Sequence, residues 1–326
     1  MQLKEKNNLK HKLPLGLAVL LLVAFPFVFQ RINNYVVYVG AITLLYFISV
    51  SGLDVLFGYC GMISMGHAAF YAIGAYGSAL LHKYCSVPPI LGMVIAAFIA
   101  AGIGALLAIP ASKLVFHFLS LATMAFNEII YQLISQSPGG ITGNFQGMSP
   151  VDYSFFGITL DTHTKFFLFA LVMMLIMLTL KNNLIKSKFG RSWMAIRENV
   201  HAANGMGINV RNYKVLAFSI SAFYTALAGS MFGHLVGYIS PDSFTSKQSL
   251  MFLTMLLFGG SGTLWGPIVG VLAVEFLNEG MRFAAEYQML IYGALMLIVI
   301  LVLPGGLYGT IRDKIVQARR KKHAEA

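Results

Sequence analysis

The sequence predicts an all-α polytopic membrane protein of about ten transmembrane helices, some of them broken by glycine-rich segments. Three observations predict it. Hydrophobic residues make up 57% of the 326 and charged ones only 11%, with a mean hydropathy of +0.73, a balance that a soluble domain of this length does not keep. Apolar runs of roughly spanning length recur from one end to the other. The basic residues behind the net charge of +11 collect in the short segments between those runs, where they orient the chain in a bilayer rather than meet nucleic acid.

The tail 1–12 is basic, with Lys4, Lys6, Lys10 and Lys12, and the apolar run 13–29 follows it. That order resembles a signal peptide, but no small-residue cleavage site follows, so a retained first span is expected. Further runs occupy 36–56, 63–81, 90–109, 116–134, 166–180, 215–236, 250–258, 266–281 and 289–303. Two of them, 166–180 and 250–258, fall short of the roughly 20 residues a spanning helix needs. Each is either lengthened by its polar flanks or a half-span, which leaves counts of eight or nine open. With both termini in the cytoplasm, Lys113 and the basic residues of 1–12, 181–214 and 312–326 are inside. Only Arg31, Lys83, Lys165, Lys247 and Arg282 of the 23 basic residues are then outside, which favours an even number of spans. The loop 135–164, which lacks Lys and Arg, belongs outside, as does GYISPDSFTSK. The tail 312–326 reads as a basic cytoplasmic segment drawn to anionic lipid. No soluble domain interrupts the series, so 1–326 is one transmembrane domain.

The longest polar interruption is 181–214. Within it Trp193, Ile196, Val200 and Ala203 recur at helical spacing, so a helix from about Arg191 carries one apolar stripe, with Glu198, His201 and Asn204 off it. Gly205 and Gly207 end it. Two readings are open: an amphipathic helix that a peripheral protein grips, or a solvated loop whose charges only fix topology. An internal echo sets Phe57-Gly58-Tyr59-Cys60-Gly61, with Gly66 beyond, against Phe258-Gly259-Gly260-Ser261-Gly262, with Gly266 beyond. Duplicated transporter halves place such broken segments along a substrate path; ordinary glycine packing between spans is the other reading.

Ionisable groups inside apolar runs usually face a cavity or a partner. Asp54, His67, His117, Glu128, Glu275 and Glu279 qualify, Asp54 and Glu279 near predicted span ends and therefore interfacial. Glu128 is the deepest acid and the best candidate for a polar lining. No catalytic constellation assembles: HExxH, GxSxG and His–carboxylate clusters at metal-ligand spacing are absent, so neither a catalytic residue nor a metal site is expected. Cys60 and Cys85 lack pairing or ligand spacing. GGSGTLWG has no lysine, so the phosphate-cradling GxxxxGK[ST] loop is missing and any ATPase is a separate polypeptide.

Several stretches together resemble the permease subunits of branched-chain amino acid ABC importers, the Liv system, and its M-type subunit. They are GYCGMISMGHAAFYAIGAYGSALL, the segment GRSWMAIRENVHAANGMGINVRNYKVLAFSISAFYTALAG, GYISPDSF, FGGSGTLWGPIVG and LPGGLYG, running in the family's order from about residue 52 to 309. The family's cytoplasmic Glu-Ala-Ala, three residues, Gly pattern falls on His201, Ala202, Ala203 and Gly207; the leading acid is replaced by His201, with Glu198 a substitute. The resemblance therefore implies an ABC-importer-permease-like fold and favours the gripped-helix reading, with Arg191, Trp193, Ile196, Arg197, Glu198 and Val200 beside that motif and Trp193 a buried anchor in the ATPase interface. It implies a heterodimer with a second related permease, two cytosolic ATPase subunits that use the ATP, a periplasmic or extracellular solute-binding protein, and the bacterial inner membrane as location. Ser64, Gly66 and His67 from the first glycine segment, Glu128, and Gly259, Gly260 and Gly262 from the second are the candidate substrate path. No cofactor is expected in this chain. Leucine, isoleucine and valine are the implied solutes, urea and short amides the alternatives within the family. The rival outside it is a proton-coupled secondary transporter using Glu128 or Asp54.

Overall fold

The computed structural model describes residues 21–31, 33–112, 116–150, 154–155, 158–160, 162–281, 286–302 and 305–310. The tails 1–12 and 312–326, Lys113 and Arg282 lie outside these. The chain is built of helices: α1 over 21–29, α2 (Asn34–Asp54), α3 (His67–Cys85), α4 (Pro89–Ala111), α5 (Phe116–Gln136), α6 (His163–Lys186), α7 (Lys188–Glu198), α8 (Val200–Gly205), α9 (Val210–Val236), α10 (Ser246–Gly259), α11 (Gly266–Gly280) and α12 (Gln288–Val302). Among the described residues, five segments are long and apolar enough to cross a membrane: Asn34–Tyr59, Pro89–Ala111, Phe118–Gln136, His163–Lys186 and Val210–Val236. A multi-pass protein follows, since helices satisfy their own backbone groups in hydrocarbon.

The organising element is α9, 27 residues and about 40 Å long at 1.5 Å per residue. It packs against α2, α3 and α4, and each neighbour presents a glycine to it. A Cβ at Gly52 of α2 would stand 2.5 Å from the Tyr224 Cβ, and one at Gly104 of α4 would stand 2.8 Å from the Ala222 Cβ. A Cβ at Gly74 of α3 would overlap the Ala226 carbonyl, while Gly229 of α9 is closed in the same way by the Tyr71 carbonyl. Between membrane helices water drives no association, and close backbone approach through small residues takes its place.

Helix ends differ from the sequence expectation in four places. The run 166–180 is no half-span: α6 has 24 residues, extended by polar flanks that are themselves buried, Thr164 and Lys181. The run 250–258 grows only to the 14 residues of α10. The run 63–81 starts helical only at His67, because 61–66 is unwound. The interruption 181–214 is shorter than its polarity indicates, since α6 continues to Lys186 and α9 begins at Val210.

 The single helix expected from Arg191 is two. Asn199 adopts extended backbone (φ −157°, ψ 111°) and caps α8. Its side-chain oxygen accepts the Ala202 N–H at 3.0 Å, the local bond by which asparagine competes with helix continuation. The stripe is cut accordingly: Trp193, Ile196 and Ala203 stay buried, while Val200 turns out and is 40% exposed.

The two segments assigned to the outside meet at one end of α9. Met148 and Ile239 exchange backbone hydrogen bonds of 2.9 Å in both directions, next to a small hairpin of Ser154–Phe155 and Ile158–Thr159. The helices α7 and α8 lie at the opposite end, where α9 begins. Replacing Gly74 by Ala forces its new methyl into the Ala226 carbonyl, and overpacking of this kind costs about 1–3 kcal/mol. A lower melting temperature is expected for Gly74→Ala in detergent, and none for Gly102→Ala, whose Cβ would meet nothing within 4 Å.

Candidate functional site

The two glycine segments of the internal echo touch. At the end of α2 the helix loosens into a π-helical turn, Val55–Tyr59, and Gly61 takes φ +74° before the chain runs unwound to His67. In the second segment α10 stops at Gly259, Gly260 has φ +106° and Gly262 φ +73°. The Gly262 N–H donates to Asp54 Oδ1 at 2.7 Å. A Cβ at Gly58 would overlap both Gly262 N and Asp54 Oδ1, so only glycine lets the segments cross here.

Asp54 is the centre of this crossing. Its Oδ2 accepts the Lys181 ammonium at 2.8 Å, and both side chains are 0% exposed. Asp54, expected near a span end, closes α2 and is enclosed by protein there, and Lys181, counted with the loop charges, is its counter-ion. The pairing is needed because one unpaired charge in such a place is costly.

The helix α7 reaches the same point. The Arg197 Nη1 donates to the Gly58 carbonyl, a Cβ at Gly61 would lie 3.1 Å from Arg197 Cγ, and one at Gly262 would lie 2.8 Å from Nη1. Trp193 is wholly buried; its Nε1–H donates to the Tyr213 carbonyl at 2.8 Å, which ties α7 to the first turn of α9. Its expected place as an anchor in a partner interface is corrected, because no part of it is open to a partner. Exposed on α7, on α8 and just after it are Met194 (41%), Val200 and Met206 (70%), together with Arg191, Arg197, Glu198, His201 and Ala202, while Gly207 turns the chain at φ +81°.

The remaining candidates separate. His67 is buried, its Nδ1 3.1 Å from Ser64 Oγ and its Nε2 2.7 Å from Ser221 Oγ. The Met65 N–H donates to Thr123 Oγ1 and the Ala68 N–H to Ser249 Oγ, and a Cβ at Gly66 would overlap the Thr123 carbonyl. Ser64, Gly66 and His67 thus pin the start of α3 to α5, α9 and α10. Gly259 and Gly260 are close-packing positions, a Cβ at Gly259 standing 2.7 Å from Gly270 N and one at Gly260 2.6 Å from the Gly305 carbonyl.

Glu128 lies elsewhere, on the exposed face of α5. Gln132 Nε2 donates to Glu128 Oε1 at 3.1 Å, and Gln136 Nε2 to Gln132 Oε1 at 3.3 Å. The three line an open groove of about 520 Å³ with Ala125 and Leu133. Sequence reasoning missed Gln132 and Gln136, although their spacing of four from Glu128 is a readable signal. It also missed Lys181 and Ser221, whose partners are distant in sequence. Glu279 accepts from the Tyr35 hydroxyl at 3.0 Å.

Comparison with known proteins gives a consistent set of relatives. Residues 35–300 match the family described as "Branched-chain amino acid transport system / permease component". The chain is 32% identical over 333 residues to the high-affinity branched-chain amino acid transport system permease protein LivM of Escherichia coli (strain K12), covering 95% of this chain and 77% of that protein. It is 31% identical to LivM of Salmonella typhimurium over the same shares of both chains. LivH of Escherichia coli (strain K12) is 26% identical over 279 residues, 79% of this chain and 89% of its own. No solved structure matches.

Lys181→Met leaves the Asp54 carboxylate buried without its cation, and breaking a buried pair costs about 3–5 kcal/mol. The double variant Asp54→Asn/Lys181→Met is expected to be closer to wild type than Lys181→Met alone. Thermal unfolding of the purified protein in detergent checks both.

Proposed function

We infer how this chain works from the family to which it belongs, the permease components of branched-chain amino acid transport systems. It is a transport subunit, and its working form is an ABC importer carrying leucine, isoleucine, valine or a similar small solute across the bacterial inner membrane. The observation that carries this reading is the placement of α7 and α8: one face is buried against the chain, the other presents Met194, Val200 and Met206, and Arg197 joins them to the crossing of the broken segments. An apolar patch on a short amphipathic helix suits capture in a groove of a partner. The proposed partner is a cytosolic ATPase, one of two, which binds and hydrolyses the ATP.

The remainder of the assembly is proposed on the same basis. Residues 1–326 form one permease domain of about ten spans with both termini in the cytoplasm, and the two broken segments descend from an internal duplication. A second permease related to LivH covers the face of α5 that carries Glu128, Gln132 and Gln136. Three polar side chains on a spanning helix fit a water-filled path or a subunit interface far better than lipid, so the path runs along that face. A solute-binding protein delivers the solute at the end where Met148 meets Ile239. ATP binding closes the ATPase pair, and the permease follows because its two conformations differ in affinity for the closed pair.

Two results are expected. The ATPase copurifies with the wild-type chain in detergent, and Val200→Asp/Met206→Asp weakens that association at least tenfold, about 1.4 kcal/mol; undiminished binding would remove this face from the interface. Glu128→Gln, at equal expression, lowers solute uptake about tenfold if the carboxylate lines the path, and unchanged uptake counts against that role.

A further inference from the structure

We propose that Arg197 is the positioning residue that carries motion of α7 to the crossing of the broken segments. The proposal rests on the reading of α7 and α8 as the ATPase contact. Four observations support it. Arg197 occupies the last turn of α7, beyond the anchor that Trp193 makes to the Tyr213 carbonyl. Its guanidinium donates to the carbonyl of Gly58, in the π-helical turn where helical hydrogen bonding is already irregular. The same side chain fills the space beside Gly61 and beside Gly262, one residue from each broken segment. Asp54 then ties the two segments together through Gly262 and fastens them to α6 through Lys181.

The mechanical consequence follows from these attachments. Trp193 is a pivot with no exposed surface, while Met194 and Val200 flank it on the outer face. A push on that face tilts α7 about Trp193, at its middle, so that both ends move, and Arg197 stands in the last turn. The planar guanidinium has five donors and a long reach, so it holds the Gly58 carbonyl through a tilt that would part a shorter side chain from it. Without it, α7 keeps its anchor to α9, but its direct hold on the crossing is gone.

The test uses the complete transporter, with its second permease, ATPase and binding protein, reconstituted in proteoliposomes. ATP hydrolysis and uptake of radiolabelled leucine are measured together for wild type, Arg197→Ala and Arg197→Lys. For Arg197→Ala uptake per ATP hydrolysed falls at least tenfold. Arg197→Lys recovers part of that ratio, because an ammonium still donates to the Gly58 carbonyl but cannot span to Gly262. An unchanged ratio in Arg197→Ala overturns the proposal. If Arg197→Ala does not assemble, Arg197→Lys decides: a lowered ratio supports the proposal and a wild-type ratio overturns it. A wild-type chain that takes up solute without ATP overturns the transporter reading itself, and the role of Arg197 with it.

Discussion

The carboxylate of Asp54, closed in between the Lys181 ammonium and the Gly262 N–H, is the constraint on which the rest of the structure depends. Interrupting a helix inside a membrane exposes backbone groups that lipid cannot satisfy. Here two interruptions are brought together so that side chains supply what the helices no longer do. Asp54 takes the Gly262 N–H, Arg197 takes the Gly58 carbonyl, and Lys181 makes the carboxylate tolerable. Each member accounts for the others: without the breaks the ion pair has no backbone group to serve, and without the ion pair the breaks have no fixed partner.

The glycines follow from that geometry. Gly58 is bare because Gly262 and the Asp54 carboxylate occupy the place of a Cβ, and Gly262 is glycine because its backbone turns at φ +73°. A different need governs Gly52, Gly74 and Gly104, which let three helices close on α9 by the small-residue packing that replaces hydrophobic drive in lipid. The same residue type therefore serves a junction in one place and a scaffold in the other.

Much of this was legible in the sequence, for identifiable reasons. Hydropathy marks helices because the bilayer demands apolar runs, and both broken segments stood out because glycine clusters interrupt those runs. That the two glycine segments touch was not legible, since pairing between residues 208 positions apart leaves no periodicity. Lys181 was misplaced for a related reason: a charge at the end of an apolar run reads as the start of a loop, and its counter-ion is 127 residues away. Val200 left the stripe that Trp193, Ile196 and Ala203 keep, because Asn199 carries a cap signal that a stripe of apolar residues overrides on paper and does not override in the fold.

The face of α5 completes the argument. Glu128, Gln132 and Gln136 form a hydrogen-bonded ladder on a helix whose other exposed residues include Phe118, Leu121, Ile129 and Leu133. Such a ladder set against acyl chains carries the penalty of an ionisable group in hydrocarbon, whereas the Asp54 carboxylate is paired with Lys181. Asp54 is enclosed completely, while Glu128 is left open to whatever lies outside the chain. On the proposed reading that is the related permease and the solute passing between the two, so the path belongs to the pair of subunits. The crossing around Asp54, by contrast, lies wholly within one chain, which is where a joint must sit if the push from a separate motor is to reach the path intact.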